Sequence, residues 1–226
     1  MMWEFTHCFR ASVVRPYVVK IKICGITNLE DAQMSVEAGA DALGFVFFQG
    51  SPRYISPELA ADIISNLPPF IQTVGLFVNE DHNTVNSIAD QCGLDVIQLH
   101  GDESPEYCTH IRRRIIKAFR VKDSSTLATM SPYRVSGYLL DAWSPDAFGG
   151  TGRTFNWKIA AQAVEAGFLV ILAGGLAPEN VAGSIAQVHP YGVDVSSGVE
   201  ASPGCKDWKK VKAFVTNAGN LPADYT

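Results

Sequence analysis

Residues 18–39, with the sequence VVKIKICGITNLEDAQMSVEAG, contain the pattern that decides the fold. In residues 18–24, β-branched and polar side chains alternate, which is typical of a β-strand with two different faces. The stretch that follows has Asn28 before two acidic residues and Gly39 at its end, and these are start and stop signals of an α-helix. The segment therefore predicts one strand followed by one helix.

The same pattern recurs along the rest of the chain. The predicted strands occupy residues 18–24, 41–48, 71–78, 94–100, 114–121, 137–142, 168–174 and 191–197. The predicted helices occupy residues 28–39, 56–67, 79–93, 104–114, 124–133, 156–167, 177–188 and 206–219. The fifth helix is the least regular, because Pro132 interrupts it. Eight such units in about 200 residues predict an α/β fold, a parallel eight-stranded (β/α)8 TIM barrel. A Rossmann-type sheet is the alternative, but no G-x-G-x-x-G follows the first strand.

The composition argues against several classes of protein. A formal net charge of −5 argues against nucleic acid or an anionic membrane as the main partner. The chain has no apolar run of about 18 residues that could span a membrane. Its five cysteines form no C-x-x-C pair, so neither a disulfide framework nor a structural zinc site is expected. These features predict a cytoplasmic protein in a reducing environment.

The two ends of the chain do not follow the strand–helix pattern. Residues 1–17 are irregular and lack the long apolar segment of a secretory signal, so we expect a poorly ordered N-terminal extension. Residues 220–226 are expected to form a C-terminal tail. No linker interrupts residues 18–219, which are therefore predicted to form a single barrel domain.

Polar side chains at the carboxyl ends of the strands are the candidates for function, since the active sites of such barrels lie there. Alternation along each strand places five of them on inward faces: Cys24, Gln98, His100, Asp141 and Asp194. Structural explanations are also open. A buried thiol is commonly an inert core residue, His100 could be a packing residue, and Asp194 could pair with Lys22. The convergence of several polar groups on one end of the barrel favours a functional site.

Two loops near the end of the chain are rich in small residues. LAGGLAPENV (172–181) follows the seventh strand and DVSSGVE (194–200) follows the eighth. These positions form a common phosphate site in such barrels, because glycine lets backbone N–H groups approach an anion. We therefore predict phosphate-binding donors at Gly174, Gly175, Ser197 and Gly198. A third glycine-rich loop at 148–157 is long enough to form a lid, with Gly152 as a further donor. The alternative is that all three are turns that need flexible residues.

Several motifs together resemble a known family. They are, in chain order, KICGIT, GADALGFVFFQGSPR, VGLFVN, IQLHG, LLDA, GGTGRTFNW, LAGGLAPENV and GVDVSSGVE. Their order and spacing, over about residues 18–217, are similar to those of phosphoribosylanthranilate isomerase of tryptophan biosynthesis. The resemblance implies an Amadori rearrangement of N-(5-phosphoribosyl)anthranilate to 1-(2-carboxyphenylamino)-1-deoxyribulose 5-phosphate, with no metal or organic cofactor.

The resemblance also implies roles for individual residues. Cys24 matches the general base, Asp141 the general acid, and Arg53 the contact to the anthranilate carboxylate. Lys22, on the same face as Cys24, is the cation that we expect to favour its thiolate. Further substrate contacts are expected at Gln98, His100, Gly152 and Asp194. The expected partner is a small phosphorylated sugar, and the chain is expected to be a monomer or a homodimer.

Two other functions stay open at this point. Lys117, in IIKAF of the fifth strand, would face the barrel interior and could form a Schiff base in an aldolase that acts on a sugar phosphate. The second open function is that of a catalytically inactive barrel, kept as a binding subunit of an enzyme complex. The presence of Cys24, Asp141 and Arg53 together argues against it. The chain departs from the family pattern in residues 1–17 and in the loop ASPGCKD (201–207), where Cys205 has no expected catalytic role.

Overall fold

Eight parallel strands form a closed barrel, in chain order, in the computed structural model, which describes residues 18–142 and 156–219. The strands are β1 (Lys20–Cys24), β2 (Ala42–Val46), β3 (Gln72–Phe77), β4 (Val96–Leu99), β5 (Arg114–Val121), β6 (Gly137–Ala142), β7 (Val170–Leu172) and β8 (Gly192–Val195). β8 pairs with β1 in a register from Lys20 opposite Gly192 to Ile23 opposite Val195, which closes the ring. The predicted (β/α)8 architecture is confirmed.

Helices alternate with the strands around the outside of the barrel. They are α1 (Leu29–Ala38), α2 (Pro57–Ser65), α3 (His82–Cys92), α4 (Pro105–Cys108), α5 (Thr126–Met130), α6 (Trp157–Glu165), α7 (Val181–Val188) and α8 (Trp208–Gly219). The start signals in the sequence work as expected: the Asn28 side chain accepts a hydrogen bond from the Asp31 N–H, and Ser56 accepts one from Leu59. No helix among the described residues is long and apolar enough to cross a membrane.

The fourth helix is shorter than the predicted range of 104–114. Its first turn forms as expected, because Ser104 caps it and Pro105 occupies its first position. The Asn86 side chain then donates to the His110 carbonyl at 2.9 Å and accepts from the Arg112 N–H at 3.0 Å. These bonds hold the backbone in a non-helical path, so α4 ends at Cys108.

The two faces of each strand pack in different layers. Outward-facing residues such as Ile23, Phe45 and Phe77 join the helices in the large core. A small apolar cluster of Ala118, Leu139, Ile171 and Ala173 fills the interior of the barrel. The barrel is therefore a packed core in its middle, with room for chemistry only near its ends.

Lys117 faces away from the barrel interior, so the prediction that it points inward is wrong. Its neighbours Ile116 and Ala118 belong to the interior cluster, and alternation turns Lys117 to the outer side. There its Nζ donates to the Gly101 carbonyl at 2.8 Å and to Glu103 Oε2 at 3.1 Å. A lysine held in this way is not available for a Schiff base in the barrel.

A short antiparallel hairpin between β8 and α8 was not predicted. It consists of β9 (Glu200–Ser202) and β10 (Cys205–Lys206), within the segment that the sequence suggested to be a loop. The hairpin lies against the start of α1, because the Lys206 N–H donates to Asp31 Oδ2 at 2.9 Å. The two predicted terminal segments, residues 1–17 and 220–226, lie outside the described residues.

Candidate active site

A cavity opens at the carboxyl-terminal end of the barrel. Its wall brings together nine of the predicted site residues: Cys24, Arg53, Gln98, His100, Asp141, Gly174, Gly175, Asp194 and Ser197. The other two predicted residues are not among them. Gly198 packs against the Leu176 carbonyl instead of lining the cavity, and Gly152 lies outside the described residues. The lining, which combines apolar side chains with a few convergent polar groups, is that of a small-molecule site.

Cys24 and Lys22 lie side by side on the inner face of β1 because β2 leaves room for them. Gly44 is directly opposite Cys24 in the parallel pair. A Cβ atom on Gly44 would lie 2.7 Å from Cys24 Sγ and 2.9 Å from Lys22 Nζ, so any larger residue would displace both side chains. The glycine is therefore part of the site.

Lys22 is paired with Asp194, which is the structural explanation that the sequence left open for that aspartate. Lys22 Nζ lies 2.8 Å from Asp194 Oδ1, and both side chains are buried. Burial lowers the pKa of Lys22, but the charges of Asp194 and Cys24 outweigh it and raise the pKa to about 12. Lys22 is therefore a permanent cation beside the thiol.

That cation does not by itself make Cys24 a thiolate. Burial raises the pKa of the Cys24 thiol, and this effect is larger than the opposing effect of the Lys22 ammonium. Asp194 also raises the thiol pKa, because its negative charge offsets that of Lys22. Both effects favour the protonated form of the thiol in this state.

Asp141 ends β6 on the far side of the cavity from β1. Its Oδ1 accepts a hydrogen bond from the Ala142 N–H at 2.8 Å. Gly174, with a φ of 81°, lies so close that a Cβ there would be 2.5 Å from the Ala142 nitrogen and 2.8 Å from Asp141 Oδ1. This glycine lets the loop after β7 approach the carboxylate.

Gln98 and His100 connect β4 to Asp141. The Gln98 Nε2 atom lies 3.0 Å from His100 Nδ1. With the amide nitrogen as donor, Nδ1 accepts and Nε2 carries the imidazole proton. His100 Nε2 then lies 3.3 Å from Asp141 Oδ2, although it is not aligned for a hydrogen bond.

Three buried polar atoms in the cavity wall have no hydrogen-bond partner in the described part of the chain. They are Gln98 Oε1, His100 Nε2 and Ser196 Oγ. A buried polar atom without a partner costs about 1–3 kcal/mol, so folded proteins rarely keep three in one place without a use for them. Their convergence indicates that the cavity binds a polar ligand.

Arg53 reaches the cavity from the loop after β2, with its guanidinium already in contact with a carboxylate. Its Nε lies 2.8 Å from Glu200 Oε1 and its Nη2 lies 2.7 Å from Glu200 Oε2. The hydrogen bonds with Glu200 raise the pKa of Arg53 further. Glu200 also accepts a hydrogen bond from Lys206 Nζ at 2.8 Å.

Sequence reasoning missed Glu200 and Lys206. Glu200 ends the motif GVDVSSGVE, but it follows the strand, where alternation no longer indicates which way a side chain points. Lys206 stands in a segment that resembles a surface loop, and its burial depends on the unpredicted hairpin. Among the described residues, no three His, Cys, Asp or Glu side chains are arranged to hold a metal ion.

The chain is similar to several known proteins along most of its length. The family model described as N-(5'-phosphoribosyl)anthranilate (PRA) isomerase matches residues 21–217. The N-(5'-phosphoribosyl)anthranilate isomerase of Pelobacter propionicus is 60% identical over 209 residues, which are 92% of this chain and 100% of that protein. The crystal structure of phosphoribosyl anthranilate isomerase from Thermotoga maritima has a TM-score of 0.84 and 47% identity, and the match covers 88% of this chain and 98% of that one. A solved isomerase in complex with reduced 1-(o-carboxyphenylamino)-1-deoxyribulose 5-phosphate has a TM-score of 0.81 and 46% identity, with the same coverage.

Proposed function

The chain belongs to the N-(5'-phosphoribosyl)anthranilate isomerase family, and we propose that its carboxyl-terminal cavity carries out the family's reaction with Cys24 as base and Asp141 as acid. The enzyme converts N-(5'-phosphoribosyl)anthranilate to 1-(2-carboxyphenylamino)-1-deoxyribulose 5-phosphate in tryptophan biosynthesis. The observation that carries the assignment of residues is the meeting of Cys24, Asp141 and Arg53 around one cavity that also contains three unpartnered polar atoms.

Asp141 is proposed to start the reaction. The furanose ring opens when its ring oxygen takes a proton, and the electron pair of the nitrogen then forms a Schiff base with C1′. A carboxylic acid at the end of β6 is placed to donate that proton. His100, whose Nε2 is 3.3 Å from Asp141 Oδ2, lies beside the donor and faces the same cavity.

Cys24 is proposed to complete the rearrangement. It removes the proton from C2′, the C–H electron pair forms the C1′–C2′ double bond, and the resulting enolamine tautomerises to the ketone. Burial raises the pKa of the thiol in the free protein, so the thiol proton must pass to solvent through the open cavity before Cys24 can act as the base. The protonated Schiff base places a positive charge close to Cys24, and an adjacent cation favours a thiolate.

The two anionic ends of the substrate are proposed to bind on different sides of the cavity. Gly174, Gly175 and Ser197 line the cavity and are proposed to present backbone N–H groups to the phosphate, while Gly198 packs against the Leu176 carbonyl. Arg53 faces the anthranilate carboxylate, and Gln98, His100 and Asp194 contact the sugar between them. Binding at both ends orients the sugar between the acid and the base.

A turnover assay on purified protein tests this proposal. We expect product to form from N-(5'-phosphoribosyl)anthranilate, with inorganic phosphate as a competitive inhibitor and with no loss of rate after dialysis against EDTA. Absence of turnover would contradict the assignment. Loss of rate that a divalent ion restores would contradict the metal-free mechanism.

The chain is also proposed to form a homodimer in the cytoplasm. A solved structure at 44% identity is described as that of mutually generated monomers of dimeric phosphoribosylanthranilate isomerase from Thermotoga maritima, so the parent enzyme of that structure is a dimer. At the amino-terminal end of the barrel, Phe70 is 95% exposed beside a cavity, which is a feature suited to a second copy of the chain. The four free cysteines among the described residues fit a reducing compartment. Residues 18–219 are proposed to be the whole catalytic domain.

A further inference from the structure

A cluster of buried charges lies behind Arg53, on the side away from the cavity. It contains Glu200 at the start of β9 and Lys206 at the end of β10. Both residues are buried, with 6% and 7% of their surface exposed. Neither belongs to the described wall of the cavity, so neither is placed to touch the substrate.

Glu200 determines which part of Arg53 is left for a ligand. A guanidinium has five N–H donors in a planar fork. Glu200 occupies the side formed by Nε and one N–H of Nη2, at 2.8 and 2.7 Å. The remaining edge, formed by Nη1 and the other N–H of Nη2, has the geometry that receives a second carboxylate through two parallel hydrogen bonds. One carboxylate can therefore hold the side of the group while another binds its end.

Lys206 keeps Glu200 in the charged form and in place. Burial alone would raise the pKa of Glu200, but the hydrogen bonds and charges of Arg53 and Lys206 outweigh it and lower the pKa. Lys206 Nζ also donates to the Cys24 carbonyl at 2.6 Å, and its backbone N–H is bound to Asp31. One lysine thus ties the hairpin both to the carboxylate behind Arg53 and to the end of β1.

We propose that Glu200 is a positioning residue for substrate recognition, which holds Arg53 with its open edge toward the carboxylate of the substrate. Its role rests on the proposed function, because Arg53 is the residue through which it acts. An arginine without this support would lose side-chain entropy when the substrate binds, whereas an arginine held in advance does not.

The same barrel contains a matched comparison for this role. Glu103 is also a buried carboxylate with a buried lysine partner, Lys117, at 3.1 Å. Its other hydrogen bonds come from the backbone N–H groups of Asn79 and Gly101. Glu103 therefore supports loops of the barrel without contact to Arg53, and its loss measures the purely structural cost of removing such a charge.

A double-mutant cycle tests the proposal. Glu200→Gln, Arg53→Ala and the double variant are compared in kcat and KM, on N-(5'-phosphoribosyl)anthranilate and on the aniline analogue in which hydrogen replaces the carboxylate. We expect Glu200→Gln to raise KM for the natural substrate about 10-fold or more, the size of one lost charged hydrogen bond. In the Arg53→Ala background, and on the aniline analogue, Glu200→Gln should raise KM by less than about 2-fold. Folded Glu103→Gln should keep the wild-type KM.

Each contrary result has a separate meaning. Full activity of Arg53→Ala on the natural substrate would overturn the role proposed for Arg53 itself. If Arg53→Ala is impaired and Glu200→Gln costs as much in that background as in the wild type, the positioning role of Glu200 is overturned but the role of Arg53 is not. The same holds if Glu200→Gln causes equal losses on both substrates, or if Glu103→Gln raises KM. If Glu200→Gln does not fold, Glu200→Asp carries the same cycle, since it keeps the negative charge but shortens the side chain that reaches Arg53.

Discussion

The two ends of the barrel both carry charged residues and both open into a cavity, but they satisfy their polar groups differently. At the carboxyl-terminal end, three buried polar atoms lack partners, out of four such atoms in the described part of the chain. At the amino-terminal end, Lys20 pairs with Asp41 at 2.7 Å and Arg114 donates to Gln72 at 2.7 Å. The carboxyl-terminal end therefore holds buried polar atoms that need a ligand, whereas most of the polar groups at the amino-terminal end already have partners within the chain.

Large apolar side chains, by contrast, are exposed at the amino-terminal end of the barrel. The amino-terminal cavity is lined by Phe70, Leu169 and Tyr191, which are 95%, 44% and 46% exposed. Such a surface offers area to another protein and few groups to a sugar phosphate. The partners of the polar atoms, and not the presence of a cavity, therefore distinguish the proposed catalytic end from the proposed assembly end.

The largest expected effect is the loss of the proposed base. Cys24→Ala should lower kcat by about 100- to 10,000-fold, the usual contribution of general acid–base catalysis, while the fold stays intact. The measurement is turnover together with a circular dichroism melt. The matched control is Cys92→Ala, since Cys92 is also buried but lies on α3 outside the cavity.

Two outcomes would contradict the role of Cys24. Near-normal turnover of Cys24→Ala would show that another group removes the proton. A severe loss of stability with little change per folded molecule would instead favour the explanation that the thiol only fills the core.

The next largest effect is expected from the carboxylate contact. Arg53→Ala should weaken kcat/KM for the natural substrate by about 2–4 kcal/mol, which is roughly 30- to 1,000-fold, because a desolvated charge pair is lost. The aniline analogue should be much less affected. Arg114→Ala, at the opposite end of the barrel, is the control and should leave both substrates unchanged. Equal losses on the two substrates would show that Arg53 does not recognise the carboxylate.

A smaller effect is expected on the ionisation of Cys24. Asp194 raises the thiol pKa because it offsets the charge of Lys22. Asp194→Asn removes this effect, so the thiolate should form at lower pH. The rate of Cys24 alkylation by iodoacetamide against pH, followed by peptide mass spectrometry, measures the change. Asp41→Asn is the matched control, because it frees Lys20 on the same strand at the other end. A profile that does not move, or that moves to higher pH, would contradict this electrostatic account.

The barrel could be predicted from the sequence because its signals are local. Alternation places each strand residue on one face, as for Cys24, Asp141 and Asp194, and Asn28 and Ser56 start their helices as expected. The fifth strand is an exception, because its apolar and polar residues do not alternate regularly. Lys117 resembles an inward residue, but Ile116 and Ala118 take that side, so the lysine faces outward.

The network behind the site could not be predicted because it depends on contacts between distant segments. Arg53 and Glu200 are 147 positions apart, and Lys206 reaches the Cys24 carbonyl across 182 positions. The sequence indicated that the Lys22 charge would lower the thiol pKa and favour the thiolate. It could not indicate whether burial, which raises that pKa, would have the larger effect. In the fold burial has the larger effect, and the thiol pKa is raised.

The smallest effect on turnover is expected from the most exposed apolar side chain. Phe70 lies at the amino-terminal end, and burying an aromatic side chain from two copies removes a large apolar area from water. Phe70→Glu places like charges against each other in a symmetric interface, so the proposed dimer of 24.5 kDa chains should dissociate to monomers in sedimentation velocity. Turnover per chain should stay within about 2-fold, because the catalytic groups lie at the other end of the barrel. Leu59→Glu, which changes a 46% exposed side chain on α2, should leave the assembly intact.

A wild-type monomer, or a dimer that persists in Phe70→Glu, would show that the chain does not assemble through the amino-terminal end of the barrel. A large loss of turnover in a folded monomer would show that the two ends are coupled. The two ends would then have to be compared within the dimer and not within a single chain.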